Sequence, residues 1–315
     1  MARFLLKRLI ALIAILFVIS VGAFLLIHLL PGDPTVTILG PSDNAQNRAA
    51  LMKQLGLNLP LWQQYLTWIG NVLQGNLGQS FVTHQSVSTI ISTSFPIDLE
   101  LIIFSQVLAL LVAIPTAIAS AKRPNGKLDR SSTTASFALL AIPPFILIVV
   151  FVLIFSVHLH IAPGPGSYVP FTQNPASNIK TMILPSVVLA IGSIVIYFRL
   201  LRGDLIATLQ EEFITVARSK GLSDRYIMWR HALRPSSLSL LASAGLNISG
   251  LVAGAFVVEY LLALPGLGFE LVNSIQQVDY LSVQGITLFV AVAIVIINFI
   301  IDFLFTIVDP RIARE

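Results

Sequence analysis

The feature that most constrains this chain is the recurrence of long apolar runs. The first, Leu9–Leu30, follows Arg3, Lys7 and Arg8 and holds 22 residues without a formal charge. About 20 apolar residues cross a bilayer as a helix, whereas the apolar core of a cleaved signal peptide is about 7–15 residues long. The run therefore reads as an uncleaved first span. Five more runs, at 97–121, 133–157, 182–201, 239–263 and 285–307, give six predicted spans, with both termini on the same side. Prolines 115, 143, 144 and 185 fall in or beside these runs. They do not argue against spanning, because neighbouring helices can satisfy the backbone groups that proline frees. The composition fits: 56% of the residues are hydrophobic and 11% charged, against about 25% charged in a soluble domain. The expected fold is an all-α, polytopic membrane protein forming a single transmembrane domain over residues 1–315.

Basic residues set the orientation. Sixteen of the 19 Lys and Arg residues fall on one predicted side: the N-terminus, the 122–130 loop, the stretch from Arg199 to Arg234, and the tail with Arg311 and Arg314. The opposite side has Arg48, Lys53 and Lys180. The positive-inside bias makes both termini cytoplasmic. The long loop 31–95 is then external. It begins at Pro31-Gly-Asp-Pro34 and holds a helical piece around Asn47–Leu55, an aromatic cluster (Trp62, Tyr65, Trp68) and the turn-rich Gly75-Asn-Leu-Gly-Gln-Ser80. The aromatics suit an interfacial belt and could equally grip a ligand.

A charged interruption at 203–237 breaks the apolar pattern on the cytoplasmic side. In its first half Ile206, Leu209, Phe213, Val216 and Ala217 recur at helical spacing and define an apolar face. Gly221 supplies the left-handed conformation that ends a helix, and Ser223 or Asp224 can cap the next one. The stretch reads as two short helices joined at an elbow and ringed by Arg218, Lys220, Arg225, Arg230 and Arg234. It suits docking to another protein, or lying on the lipid surface.

Several chemistries find no support. There is no cysteine, hence no disulfide or thiolate site. The only Gly-Lys pair, Gly126-Lys127, lacks the rest of a phosphate-binding loop, so any ATP-driven step belongs to another chain. His158 and His160 sit two apart without further ligands, too few for a metal site. No nucleophile elbow or paired His and Asp is present, so no catalytic residue is expected. The basic residues have no stacking platform for nucleic acid. Within the predicted spans, Glu100, Asn247, Glu259, Asn298 and Asp302 are candidates for a pathway or for helix contacts. A small-residue stripe, Ala242, Gly245, Ser249, Gly250, Ala253 and Gly254, permits close helix approach or leaves room for a solute.

The elbow resembles the "EAA" loop of permease subunits of ATP-binding-cassette importers, in the dipeptide/oligopeptide/nickel family. Glu212, Ala217, Gly221 and His231-Ala-Leu-Arg234 stand at the matching positions. Pro31-Gly-Asp-Pro34 and Gly75–Ser80 look like the family's first external loop. Pro265-Gly-Leu-Gly268 and Asn298…Asp302…Asp309-Pro-Arg-Ile312 look like its last span and tail. The resemblance covers nearly the whole chain, and the long first loop is similar to the "B"-type partner of the usual permease pair. One departure is Pro235 directly after Arg234, with Leu238-Ser239 where the family has a later proline; it implies a differently angled approach to the fifth span.

The resemblance implies a type I importer permease fold with six spans in a bacterial or archaeal cytoplasmic membrane. It also implies a second homologous permease, two cytoplasmic ATPase subunits that bind the ATP and Mg, an external substrate-binding protein, and lipid around the spans. Coupling to the ATPase would fall to Glu212, Ala217, Gly221, Leu222, Ser223, Arg230, His231 and Arg234. Pathway lining or helix packing would fall to Asn247, Gly250, Gly254, Glu259, Asn298 and Asp302. The solute class is peptides, with nickel or glutathione-like solutes also within the family. A stand-alone secondary transporter or channel, a pathway-free membrane anchor and an intramembrane enzyme are the other classes considered.

Overall fold

The computed structural model describes residues 2–29, 39, 44–54 and 58–308. Among them there is no strand, only an isolated bridge between Gln79 and Ser86. The helices group into two compact units, Met1–Ile97 with Pro265–Glu315, and Asp98–Leu264.

The first unit contains α1 (Ala2–Leu29), α2 (Ala45–Gln54), α3 (Leu61–Leu73), the start of α4 (Val87–Ala121), α11 (Leu267–Gln276) and α12 (Tyr280–Val308). Helix α1 runs along α12. Helix α3 is pinned to α1 by a hydrogen bond between the Tyr65 and Ser20 hydroxyls at 2.7 Å and by Phe24 rings 5.5 and 5.9 Å from Tyr65 and Trp68. Two of the three aromatics of the long loop thus pack on a helix, while Trp62 is exposed. Val87, Ile90 and Ile91 form a core with Leu267 and Ile286. At Gly285 a Cβ would sit 2.5 Å from Val87 Cγ1, so this approach of α4 and α12 requires glycine. Helix α4 begins at Val87, inside the predicted loop 31–95, and is turned out of the preceding residues by Ser86, whose hydroxyl accepts from the Thr89 amide.

The Gly75–Ser80 turn is held from the other side of this unit. Gly75 and Gly78 take φ of 81° and 93°, conformations open to glycine without steric cost. They lead to a buried Ser80, whose hydroxyl donates to Asp279. Asp279 also accepts from Ser282 at 2.7 Å and from the Phe81 amide at 3.3 Å, so a buried carboxylate ties the turn to the start of α12.

The second unit contains the rest of α4, then α5 (Lys127–Ala141), α6 (Pro144–Phe151) running into a π-helical turn (Val152–His158), and α7 (Pro175–Thr208). The elbow helices α8 (Glu212–Ser219) and α9 (Asp224–Tyr226) follow, then a second π-helical turn (Ile227–Ala232) and α10 (Leu233–Leu262). Leu101, Ser105, Ala109, Ala113 and Ala117, spaced by four along α4, are fully buried, while Ile103, Val107 and Leu111 on another face are exposed. The small buried stripe lets neighbours approach, and the exposed apolar one suits lipid. Helix α10 packs along α7, where a Cβ on Gly254 would come within 2.8 Å of Leu189 Cδ1. Gly250 is under no such pressure; its nearest neighbour would be Asn247 Oδ1 at 3.6 Å.

Four described helices are long and apolar enough to cross a membrane: Val87–Ala121, Pro175–Thr208, Asp224–Leu262 and Tyr280–Ile301. The predicted span 133–157 falls on α5 and α6 with its π-helical turn, which are long and apolar enough together but are bent by 101° at a break. Pro143 and Pro144 account for the break: proline cannot donate to the helical ladder and pushes its predecessor out of the helical region, and Ile142 is extended at φ −92°, ψ 121°. Helix α1 is a single helix of 28 residues, Ala2–Leu29, and contains all but the last residue of the predicted first run Leu9–Leu30.

Candidate coupling elbow

The elbow belongs to the second unit. Helix α8 ends where Gly221 takes φ 76°, with the Gly221 and Leu222 amides reaching back to the carbonyls of Arg218 (2.9 Å) and Ala217 (3.3 Å). This closes the helix with a left-handed residue, for which glycine is the default. Ser223 then accepts from the Tyr226 amide, capping α9, as expected for a Ser at that position. The second arm is not a separate short helix. It continues from Asp224 through the π-helical turn into α10 as one helix to Leu262. The widened turn lies just ahead of Pro235, a residue that cannot donate to the ladder and crowds the preceding turn. A displacement of the elbow is therefore a displacement of the foot of a membrane-length helix.

The predicted apolar face is divided in two. Ile214 and Ala217 are buried against Ile227 and Leu209, whereas Phe213 and Val216 are 46% and 52% exposed. The expectation grouped Phe213 and Val216 with Ala217; at 100° per residue in a helix of 8 residues, Ile214 and Ala217 take the inner side. The elbow thus presents Phe213 and Val216 outward, with Glu212, Gly221, Leu222, Ser223, Arg230 and Arg234 also exposed. His231 packs edge-on against Tyr226 at 5.6 Å.

Side-chain clasps that sequence reading did not single out hold the helices around the elbow. Arg202 on α7 makes a two-point ion pair with Asp129 on α5, Nη2 to Oδ2 at 2.7 Å and Nε to Oδ1. Asp129 is 2% exposed and also accepts from the Asn125 amide at 2.8 Å. At the other end of the elbow, the Thr208 and Ser236 hydroxyls lie 3.0 Å apart and Ser239 donates to Asp204. Both contacts join the end of α7 to the start of α10. The elbow's two roots are therefore bonded to each other. The only sequence signal for these pairs is that they are polar residues at the edges of apolar runs.

Deeper in the same unit Asn247 donates to Ser193 (2.7 Å) and Tyr197 (3.0 Å). Tyr197 donates to Gln106 (2.9 Å), and Gln106 donates to the Ala244 carbonyl (3.0 Å). This chain joins α4, α7 and α10 at mid-helix. Asn247 thus sits in a helix contact, while Gln106, Ser193 and Tyr197 went unremarked in the sequence. Glu259 is fully buried near the end of α10, and Asn298 is half-buried on α12. The side chain of Asp302, Pro31–Pro34 and Asp309–Ile312 lie outside the described residues. Glu100 accepts from Tyr168 at 3.0 Å; burial, and then this bond, raise the Tyr168 phenol above its ordinary pKa. His158 and His160 each place Nδ1 on a backbone carbonyl, and among the described residues no three His, Cys, Asp or Glu side chains are grouped to hold a metal.

Residues 113–314 match the family described as the binding-protein-dependent transport system inner membrane component, and residues 1–102 match that system's N-terminal membrane component. The chain is 36% identical over 314 residues to the oligopeptide transport system permease protein AppB of Bacillus subtilis (strain 168), covering 99% of each chain. It is 34% identical over 312 residues to the glutathione transport system permease protein GsiC of Escherichia coli O6:H1, again with 99% of each covered. A putative peptide transport system permease protein of Brucella abortus (strain 2308) is 33% identical over the whole of both chains.

Proposed function

Because this chain belongs to the inner-membrane components of binding-protein-dependent transport systems, and so is a multi-pass permease subunit rather than an enzyme, we propose that it imports peptides and takes its force through the elbow. In this reading residues 1–315 act as one permease domain of six spans, the first at Leu9–Leu30 and the third bent at Pro143. Both termini and the elbow 203–237 face the cytoplasm, and loop 31–95 faces outward. The permease pairs with a second homologous permease, each forming half of the pathway. Two ATPase subunits supply the ATP and Mg chemistry, and an external binding protein delivers solute.

One observation carries the elbow's role: α8 keeps Ile214 and Ala217 for its own chain and turns Phe213 and Val216 outward. Two apolar side chains exposed one turn apart on a short charged helix offer an anchor for a groove on a partner. Movement of that anchor passes through the capped turn at Gly221 and Ser223 into α10, and through the Asp204–Ser239 and Thr208–Ser236 contacts into α7. Glu212, Leu222, Arg230, His231 and Arg234 frame the contact. Asn247, Gly250, Gly254 and Glu259 lie on α10, which takes up that movement, and Asn298 and Asp302 on α12 complete the residues proposed for pathway lining or helix packing. Peptides are the preferred solute because oligopeptide and peptide permeases are among the relatives, with a glutathione-type solute as a special case.

The absence of cysteine from the natural sequence provides a direct test. Val216→Cys, introduced alone, is expected to cross-link to the ATPase subunit in native membranes through a short bifunctional reagent, and the yield is expected to change when ATP is added. Efficient cross-linking from Trp62→Cys to the ATPase, with none from Val216→Cys, would refute the assignment.

A further inference from the structure

Beside the elbow lies a polar cleft of about 600 Å³, all of it within the second unit. Lys122 and Arg123, which directly follow the last residue of α4, form one wall; Arg218 of α8 and Arg225 of α9 form the other. Asp224 is the only carboxylate in the lining, and it already stands 3.6 Å from Arg218. Met228 closes the floor and is buried, while Trp229 at the rim is exposed.

Four cations face one anion here, and they come from two separate stretches of sequence rather than from one basic run. Like charges gathered this way repel unless an anion joins them. Arginine's planar fork matches phosphate oxygens, and lysine adds a point charge. The depth of the cleft narrows the choice further. Lys122 and Arg123 directly follow the predicted span 97–121 on its basic side, which in this reading puts them at headgroup level. An exposed Trp beside them is the side chain that favours such an interface. Basic pockets on the cytoplasmic side of membrane helices suit anionic headgroups, and the volume admits a glycerophosphate group rather than a lone ion.

We propose that this cleft binds the phosphate of an anionic phospholipid headgroup, which bridges the end of α4 to the elbow and makes coupling depend on lipid charge. The inference rests on the cytoplasmic placement of the elbow given above. Inorganic phosphate and soluble phosphate esters share the chemistry that the cleft recognises.

The test uses the intact importer complex, purified in mild detergent and titrated with phosphatidylglycerol or phosphatidylcholine while bound lipid is counted by native mass spectrometry. Lys122→Gln/Arg123→Gln is compared with Lys127→Gln/Arg130→Gln, which removes the same charge from the start of α5, outside the cleft. The first pair is expected to weaken phosphatidylglycerol retention about thirtyfold, from roughly 1 kcal/mol per basic residue, and the second to leave it near wild type. Lys122→Arg/Arg123→Lys, which keeps the charge, is expected to restore retention. Displacement of phosphatidylglycerol by millimolar inorganic phosphate, or phosphate binding without lipid preference, would support the site and assign it to a soluble phosphate. Equal phosphatidylglycerol retention in both Gln pairs, with no phosphate binding, would overturn it. Labelling of Asn125→Cys by a membrane-impermeant maleimide separates the two levels: reaction from outside intact cells would sink the orientation, whereas a lipid result alone would leave it standing.

Discussion

Substitution of Gly221 tests the elbow on physical grounds that can be worked through in advance. A Cβ at this position would meet nothing within 4 Å, so the penalty does not come from crowding. It comes from φ 76°, where an L-residue loses about 1–2 kcal/mol relative to its favoured regions. Alanine recovers about 0.4–1 kcal/mol where it rigidifies a compatible backbone, but that gain does not apply at positive φ. Asn tolerates the left-handed region and should be mild, and β-branched Val should be worst. A penalty of 1–2 kcal/mol changes the ratio of the bent elbow to a relaxed one by about five- to thirtyfold.

The expected order of coupling is therefore Gly, then Asn, Ala and Val. The assay is peptide taken up per ATP hydrolysed by the complex in proteoliposomes, with assembly verified by co-purification. Gly166→Val is the control, because Gly166 has nearly the same φ, 77°, and equally open space but lies outside the elbow. It should alter stability without lowering peptide uptake per ATP. Wild-type coupling in Gly221→Val, in a complex that still assembles, would refute the reasoning.

Other perturbations follow from the clasps, from the buried Asp279 and from the half-buried Glu270. Arg202→Ala takes the two-point ion pair from Asp129, which keeps only its bond from the Asn125 amide, and losing hydrogen bonds to a charged group costs about 1.5–3 kcal/mol; Arg202→Lys should recover only part, because the two-point geometry is lost. Thermal unfolding in detergent would show a large drop for Ala and an intermediate one for Lys, and equal melting of all three would contradict the pairing. Asp279→Ala removes the acceptor for Ser80, Ser282 and the Phe81 amide, and should cost about 1.5–3 kcal/mol, the range for a bond to a charged group; limited proteolysis should then cut first near residues 75–86. Burial raises the pKa of Glu270, so the folded state holds this proton more tightly than the unfolded state does. Its contribution to stability is full below the unfolded pKa and is lost as pH rises through the folded one. Glu270→Gln should therefore melt higher than wild type at pH 7, with the gap closing as pH falls below the ordinary carboxylate range; a gap independent of pH would contradict the assignment.

Much of the fold was legible because apolar length and glycine chemistry are local signals. Runs of about twenty apolar residues placed the long helices, and Gly221 followed by Ser223 located the turn and its cap. Four features were not legible; the size of the bend at Pro143 is one, and the other three depend on tertiary contacts. Helical spacing grouped Phe213 and Val216 with Ala217, but only packing against Ile227 determines that Ile214 and Ala217 turn inward. Pro143 and Pro144 were compatible with a kinked span, yet the structure bends by 101° there. Asp129 and Arg202 are 73 residues apart, and no local pattern pairs them. The same holds for Gln106, Tyr197 and Asn247, whose polarity is visible in sequence and whose mutual contact is not.

The most direct measurement of the central claim is affinity purification of the tagged chain from its own cells in mild detergent, followed by identification of bound subunits and assay of ATP hydrolysis. The account predicts a second permease and an ATPase in the eluate, with ATP hydrolysis stimulated by the peptide-loaded external binding protein. A chain recovered alone, without ATPase activity, that carries solute down an ion gradient in liposomes would contradict it.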